Sequence, residues 1–126
     1  LTPPQVTERV IDAVAGGAGA VIPVLPVTDT LKTVDAAGVV VGTPRRSDMV
    51  AVQTPQGFRW DVLIRAHEEG ASLGADEARA ATDDAGLVEA IGGTVHTVAG
   101  DERSMKVTRP LDLALAQIQV AEENLG

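Results

Sequence analysis

The residues Met49-Val50-Ala51-Val52-Gln53-Thr54-Pro55-Gln56-Gly57-Phe58 restrict the fold of this chain more than any other stretch. Their apolar start predicts a strand, which Pro55 stops because proline cannot donate to a ladder. Gly57 then permits a turn. Residues 59–69 follow with Val62, Leu63 and Ala66 at helical spacing, and Gly70 ends that helix. A strand that turns into a helix belongs to an α/β architecture, and open α/β sheets bind ligands at the carboxyl ends of such strands. Thr54 takes that position.

The flanking sequence extends the alternation. Thr2-Pro3-Pro4 opens a helix, with the threonine as N-cap and proline at the first helical position. Val6, Val10, Ile11 and Val14 give that helix its apolar face, and Gly16-Gly17 stops it. Residues 20–27 are too apolar for a loop and read as a buried strand that leaves its sheet near Pro26. Residues 30–34, the turn Asp35-Ala36-Ala37-Gly38 and residues 39–42 read as a projecting hairpin whose valines need a cover. Residues 71–81 show no clear apolar face and read as a loop or marginal helix. Thr82-Asp83-Asp84 caps a short helix through Leu87, Val88 and Ile91, which Gly92-Gly93 stops. Residues 94–99 predict a strand and 105–108 a very short one. A last helix opens at Pro110 and Asp112, with Leu111, Leu115 and Ile118 as its buried stripe. The fold class is therefore α/β with a mainly parallel sheet.

Composition removes several functions. The formal charge of −8 argues against nucleic acid, whose phosphates demand a basic face. With no cysteine there is no disulfide, thiolate nucleophile or thiolate metal site. No apolar run reaches the roughly 20 residues of a membrane span, and no basic-then-apolar leader opens the chain, so a cytoplasmic protein is expected. An Ala-Gly-Gly-Ala-Gly run at residues 15–19 follows a helix and precedes a strand, the wrong order for a phosphate cradle, and reads as a helix stop.

Polar groups nevertheless gather at the predicted strand ends: Thr30, Arg46, Thr54, Thr82 and Lys106. Cations and hydroxyls in such places suit a phosphate monoester, although threonine in strands also reflects plain β-propensity. His67 and His96 lack metal-ligand spacing, and Ser47 and Ser104 lack the partners of a nucleophilic triad. The Asp83-Asp84 pair could serve as a metal ligand or general base, but helix capping explains it more cheaply. On residues alone, the chain is a phosphate-binding α/β domain.

Four ordered motifs go further. Residues 23–32 (Pro-Val-Leu-Pro-Val-Thr-Asp-Thr-Leu-Lys), 52–58 (Val-Gln-Thr-Pro-Gln-Gly-Phe), 82–85 (Thr-Asp-Asp-Ala) and 106–114 (Lys-Val-Thr-Arg-Pro-Leu-Asp-Leu-Ala) together resemble the 2-C-methyl-D-erythritol 4-phosphate cytidylyltransferases of non-mevalonate isoprenoid synthesis. The resemblance covers essentially the whole chain. It implies a partial Rossmann-like, three-layer nucleotide-diphospho-sugar transferase fold with a β-hairpin arm at 27–47 used for homodimerisation. Residues 1–126 then correspond to the C-terminal portion of one cytidylyltransferase domain, without the N-terminal CTP-binding half.

The resemblance also implies roles. Lys106 and Arg46 position the substrate phosphate, Arg46 in the partner's site because the arm is exchanged. Thr30, Thr54 and Thr82 line the methylerythritol phosphate pocket. Arg45 stands where relatives are often acidic, so either arginine could take the role, with spacing favouring Arg46. Ser104 stands where many relatives carry Asn. The implied reaction moves CMP from CTP onto the substrate phosphate and releases pyrophosphate, with Mg2+ held mainly by the CTP phosphates. No nucleotide or metal contact falls on these residues, and the 126 residues alone are expected to be inactive. A related polyol- or sugar-phosphate nucleotidyltransferase, or a non-catalytic dimerisation or phosphate-binding module, are the alternatives.

Overall fold

The computed structural model describes residues 1–72 and 81–126. One strand organises it. β1 (Ala20–Pro26) is the apolar run, and Ala20, Val21, Ile22 and Pro23 are buried, as expected of a strand covered on both faces. β2 (Thr33–Val34) and β3 (Val40–Gly42) form a separate antiparallel ribbon. β4 (Val50–Val52) and β5 (Gly57–Phe58) both run antiparallel to β1, while β6 (His96–Ala99) lies parallel to it. The parallel pair expected of an α/β fold is therefore present, but the sheet is mixed rather than mainly parallel.

β4 and β5 correct the reading of the 49–58 stretch. Val52 pairs with Val24, Gly57 with Val21, and between them Gln53 N–H donates to the Pro23 carbonyl at 2.8 Å. The two are halves of one interrupted strand along β1, and residues 54–56, with a cis Thr54–Pro55 peptide, bulge out of it. Pro55 breaks the ladder without ending it, since a strand can resume once the residue lacking a donor has been looped out. Only after Phe58 does the chain enter a helix.

Helices cover both faces. α1 (Pro4–Ala15) buries Val6 and Val10. α2 (Trp60–Gly70) and α3 (Asp84–Ala90) pack together, and Ala66 and Val88 meet Ala20 in a core joined by Phe58, Val62, Leu87, Ile91 and Val95. A Cβ placed on Gly57 would run into Val10, so Gly57 faces α1. Phe58, its neighbour, points the opposite way into the α2–α3 core. The result is three layers, α1 on one face and α2 with α3 on the other. α4 (Pro110–Leu125) closes the chain.

Several local expectations change. The N-cap of α1 is Pro3, with no side-chain cap, so Thr2 does not cap it. Ile11 is exposed while its neighbour Val10 is buried, because the stripe of α1 that meets the sheet runs through Val6, Val10 and Val14. Residues 105–108 form no strand, since none among the described residues offers them a ladder. Leu111 and Ile118 are 66% and 55% exposed and Leu115 is also exposed; α4 instead turns Asp112 and Ala116 inward. The leucine spacing was helical, but among the described residues nothing covers that face. Most of the stretch expected to be loop or marginal helix, residues 73–80, lies outside the described residues.

Candidate functional site: a groove at the end of β1 and β6

The bulge after β4, which lies beside Ile22 and Pro23 of β1, and the loop that follows β6 approach each other. The Gln53 amide fastens them: its Nε2 donates to the Asp101 carbonyl at 2.9 Å, and its Oε1 accepts the Asp101 N–H at 3.0 Å. Gly100 N–H donates to the Val24 carbonyl at 2.8 Å. A Cβ on Gly100 would strike both the Gln53 amide and that carbonyl, so the close approach demands glycine. From α1, Arg9 adds Nε to the Ala99 carbonyl at 2.8 Å and Nη2 to the Gly100 carbonyl at 3.3 Å.

This frame encloses a groove of ≈ 540 Å³ whose lining includes Gln53, Thr54, Thr82, Asp83, Ser104 and Lys106. A shallower hollow of ≈ 640 Å³ adjoins it, sharing Thr54, Gln56, Thr82 and Asp83 and reaching Phe58 and Leu87. The wall between bulge and α3 is fixed by Gln56, whose Nε2 donates to Asp83 Oδ2 at 2.9 Å. Asp83 Oδ1 meanwhile accepts Gly86 N–H at 2.7 Å as the N-cap of α3, the capping role open to it from sequence. Both oxygens of its carboxylate are thus hydrogen-bonded within the wall of the groove.

Three of the five expected site residues thus meet: Thr54 from the bulge, Thr82 from the approach to α3, and Lys106 from the segment before α4. The other two do not line the groove of their own chain. Thr30 is exposed in the run leading to β2. Arg46 opens the 3-10 turn Arg46–Asp48 at the base of the hairpin, where its Nη1 donates to the Thr28 carbonyl at 2.8 Å. A guanidinium carries five donors, and among the described residues the rest of that fork has no partner. Arg45 turns to Asp48 at 3.9 Å.

Sequence reasoning passed over Gln53, Gln56 and Arg9. Their one signal was two amides bracketing the Thr54-Pro55 break, and it does not say what an amide will hold. Ser104 is 7% exposed and its Oγ has no hydrogen-bond partner among the described residues. Among the described residues, Lys106 enters no ion pair, which leaves its charge for a ligand. The Arg103 side chain and N–H hold the Asp101 carboxyl down at about 2, where it caps the 3-10 turn Glu102–Ser104. His67 Nε2 lies 2.9 Å from Asp84 Oδ1, so that carboxylate too is engaged. The described residues contain no group of three carboxylates, histidines or cysteines suited to a metal ion.

A family model described as 2-C-methyl-D-erythritol 4-phosphate cytidylyltransferase matches residues 1–122. The chain belongs to this family. It is 51% identical to the cytidylyltransferase of that name from Rhodococcus jostii strain RHA1 over 97% of its length, and 55% identical to that of Nocardia farcinica over 93%. It spans about half the length of these curated relatives, 51% and 47% respectively. Among solved structures, the cytidylyltransferase of Thermus thermophilus superposes with a TM-score of 0.76 at 36% identity, over 94% of this chain and 56% of that one. The 4-diphosphocytidyl-2C-methyl-D-erythritol synthase of Anaerococcus prevotii superposes with a TM-score of 0.82 at 25% identity, over 96% and 54%. The cytidylyltransferase fold expected from the four motifs is thereby shown.

Proposed function

We propose that these residues form the acceptor side of a cytidylyltransferase that moves CMP from CTP onto 2-C-methyl-D-erythritol 4-phosphate. One observation carries the reading: Thr54, Thr82 and Lys106, from three separate stretches of sequence, line a single groove at the carboxyl end of β1 and β6. In that groove the Lys106 ammonium neutralises and aims the acceptor phosphate, and the two hydroxyls bond to the polyol. A phosphate oxygen then attacks the α-phosphorus of CTP, the new P–O bond forms, and pyrophosphate leaves. Such a transfer rests on positioning and charge neutralisation and needs no covalent intermediate on the protein.

Among the described residues no three carboxylates, histidines or cysteines gather as a metal ion would need. Mg2+ entering with CTP is assigned to the nucleotide's own phosphates. Arg46 serves the groove of a second copy through the hairpin arm, and the 126 residues on their own do not transfer CMP. No described helix is long and apolar enough to cross a membrane.

The test is pyrophosphate release from CTP by the full-length protein carrying these residues, with methylerythritol phosphate and other polyol or sugar phosphates as competing acceptors. Preference for methylerythritol phosphate is expected. Lys106→Ala should lower turnover roughly 10²- to 10³-fold, the scale for removing one preorganised charge from a developing anion. A different preferred acceptor, or a Lys106→Ala enzyme near normal rate, would refute the reading.

A further inference from the structure

Lys106 has a supporting problem that its own segment does not solve. Residues 105–108 lie between the 3-10 turn Glu102–Ser104 and α4, with no strand among the described residues paired to them. A lysine on a long, rotatable stem aims a phosphate only if its backbone is held. Among the described residues, one side chain makes most of the hydrogen bonds to this segment. Asp112 Oδ2 accepts Thr108 N–H at 3.1 Å, Thr108 Oγ1–H at 3.1 Å, Arg109 N–H at 2.9 Å and Arg109 Nε at 3.4 Å, while Oδ1 accepts Arg109 Nη2 at 3.2 Å. Asp112 is 5% exposed although the Arg109 side chain that meets it is exposed, and its ionised carboxylate makes the stronger kind of hydrogen bond. Other than this, the segment gains a long contact from Gln119 Nε2 to Met105 Sδ at 3.7 Å.

We propose that Asp112 is the positioning residue for Lys106, fastening the segment that bears the lysine onto α4 so that its ammonium meets the acceptor phosphate. The arrangement has a second effect. Because Arg109 pairs with the Asp112 carboxylate, that negative charge is neutralised locally and does not compete with the phosphate for Lys106. Asp112 touches no substrate and acts through Thr108 and Arg109, by backbone and side chain alike. The inference rests on the acceptor role given to Lys106 above.

The experiment uses the full-length protein and four variants. Asp112→Asn replaces half of the acceptor with a donor facing Thr108 and Arg109. Thr108→Val removes one donor with little change of shape. Ala114→Gly, on the exposed side of α4, destabilises the helix without touching the contact. Lys106→Ala reports on the reading itself. Melting temperature, kcat/KM for the acceptor and KM for CTP are measured for each. Asp112→Asn is expected to lower acceptor kcat/KM about 10- to 100-fold, the range for small misplacements of a positioned group, with KM for CTP unchanged. Thr108→Val should move it the same way by a smaller factor, and Ala114→Gly should lower the melting temperature only. If Asp112→Asn matches Ala114→Gly in acceptor kinetics while Lys106→Ala collapses them, the proposal fails and the acceptor reading stands. Should Lys106→Ala leave them intact, the acceptor reading fails and takes this inference with it. Where Asp112→Asn does not fold, an unaltered Thr108→Val enzyme overturns the proposal.

Discussion

Two carboxylates on either side of the Ser104–Lys106 segment are held below their ordinary titration range. The Arg109 side chain and the Thr108 and Arg109 amides hold Asp112 at about 2, from an ordinary 3.8, and Arg103 does the same for Asp101. A depressed folded pKa means that the ionised form is bound more tightly in the folded chain. Its stabilisation is complete above the unfolded value near 3.8 and is lost as pH falls from there through about 2. Thermal melts between pH 2 and 6 should therefore show the gap between wild type and Asp112→Asn shrinking as pH drops below 4. A gap that stays constant with pH would mean that Asp112 contributes by shape rather than by charge. Ser104 behaves oppositely. Its buried hydroxyl has no partner among the described residues, so Ser104→Ala removes a desolvated polar group and gives up no hydrogen bond. The expected result is a melting temperature equal to or above wild type, and a clear drop would reveal a partner supplied from elsewhere.

The elements tell how far sequence patterns reach. Val88 is fully buried against Ala20 and Ala66, as the spacing of Leu87, Val88 and Ile91 implied. Val88→Ala should cost about 2 kcal/mol in chemical denaturation, near the transfer value of a buried valine, and a change under about 0.5 kcal/mol, the scale of a surface substitution, would place it outside the core. β1, α2, α3 and the hairpin were legible because each carries its own periodicity and its own stop. The mixed sheet was not, since strand direction depends on where a chain returns to, and Pro55 looks the same whether a strand ends or bulges. Gly57 shows the difference: sequence offers it as a turn, whereas the fold needs it because Val10 of α1 leaves no room for a Cβ. The leucines of α4 misled for a related reason. A helical period names a stripe, but only a neighbour decides which stripe is buried, and the described neighbours take Asp112 and Ala116. In the groove, Thr54, Thr82 and Lys106 were legible as polar groups at predicted element ends, while the amides and Asp112 that hold their backbones in place were visible only once the chain was folded.

At the scale of the molecule, the hairpin stands apart from the sheet. β2 and β3 pair only with each other, Val34 opposite Val40, and Val34, Val39, Val40 and Val41 are all exposed. Asp35 shapes the turn by accepting Ala37 and Val39 N–H groups at 2.9 Å, and Gly38 adopts a φ of 80° there. Lys32 Nζ donates to Thr43 Oγ1 at 2.8 Å at the open end. These contacts set the ribbon's register but bury no apolar surface, and an isolated two-stranded ribbon is marginal in water. Since Val34 and Val40 face one side and their neighbours the other, both faces of the ribbon ask for cover. A second copy placing its arm against this one would supply it and would carry Arg46 toward the partner's groove. On this proposal the full-length protein sediments as a dimer at micromolar concentration. Val40→Asp, which puts a charge into the contact without disturbing the turn, should shift it to monomer while circular dichroism stays unchanged. The monomer should also lose acceptor turnover to about the extent of Arg46→Ala in the dimer, because both remove the same guanidinium from the same groove. A Val40→Asp protein that is monomeric yet fully active would separate the arm from the site and restrict Arg46 to its contact with the Thr28 carbonyl.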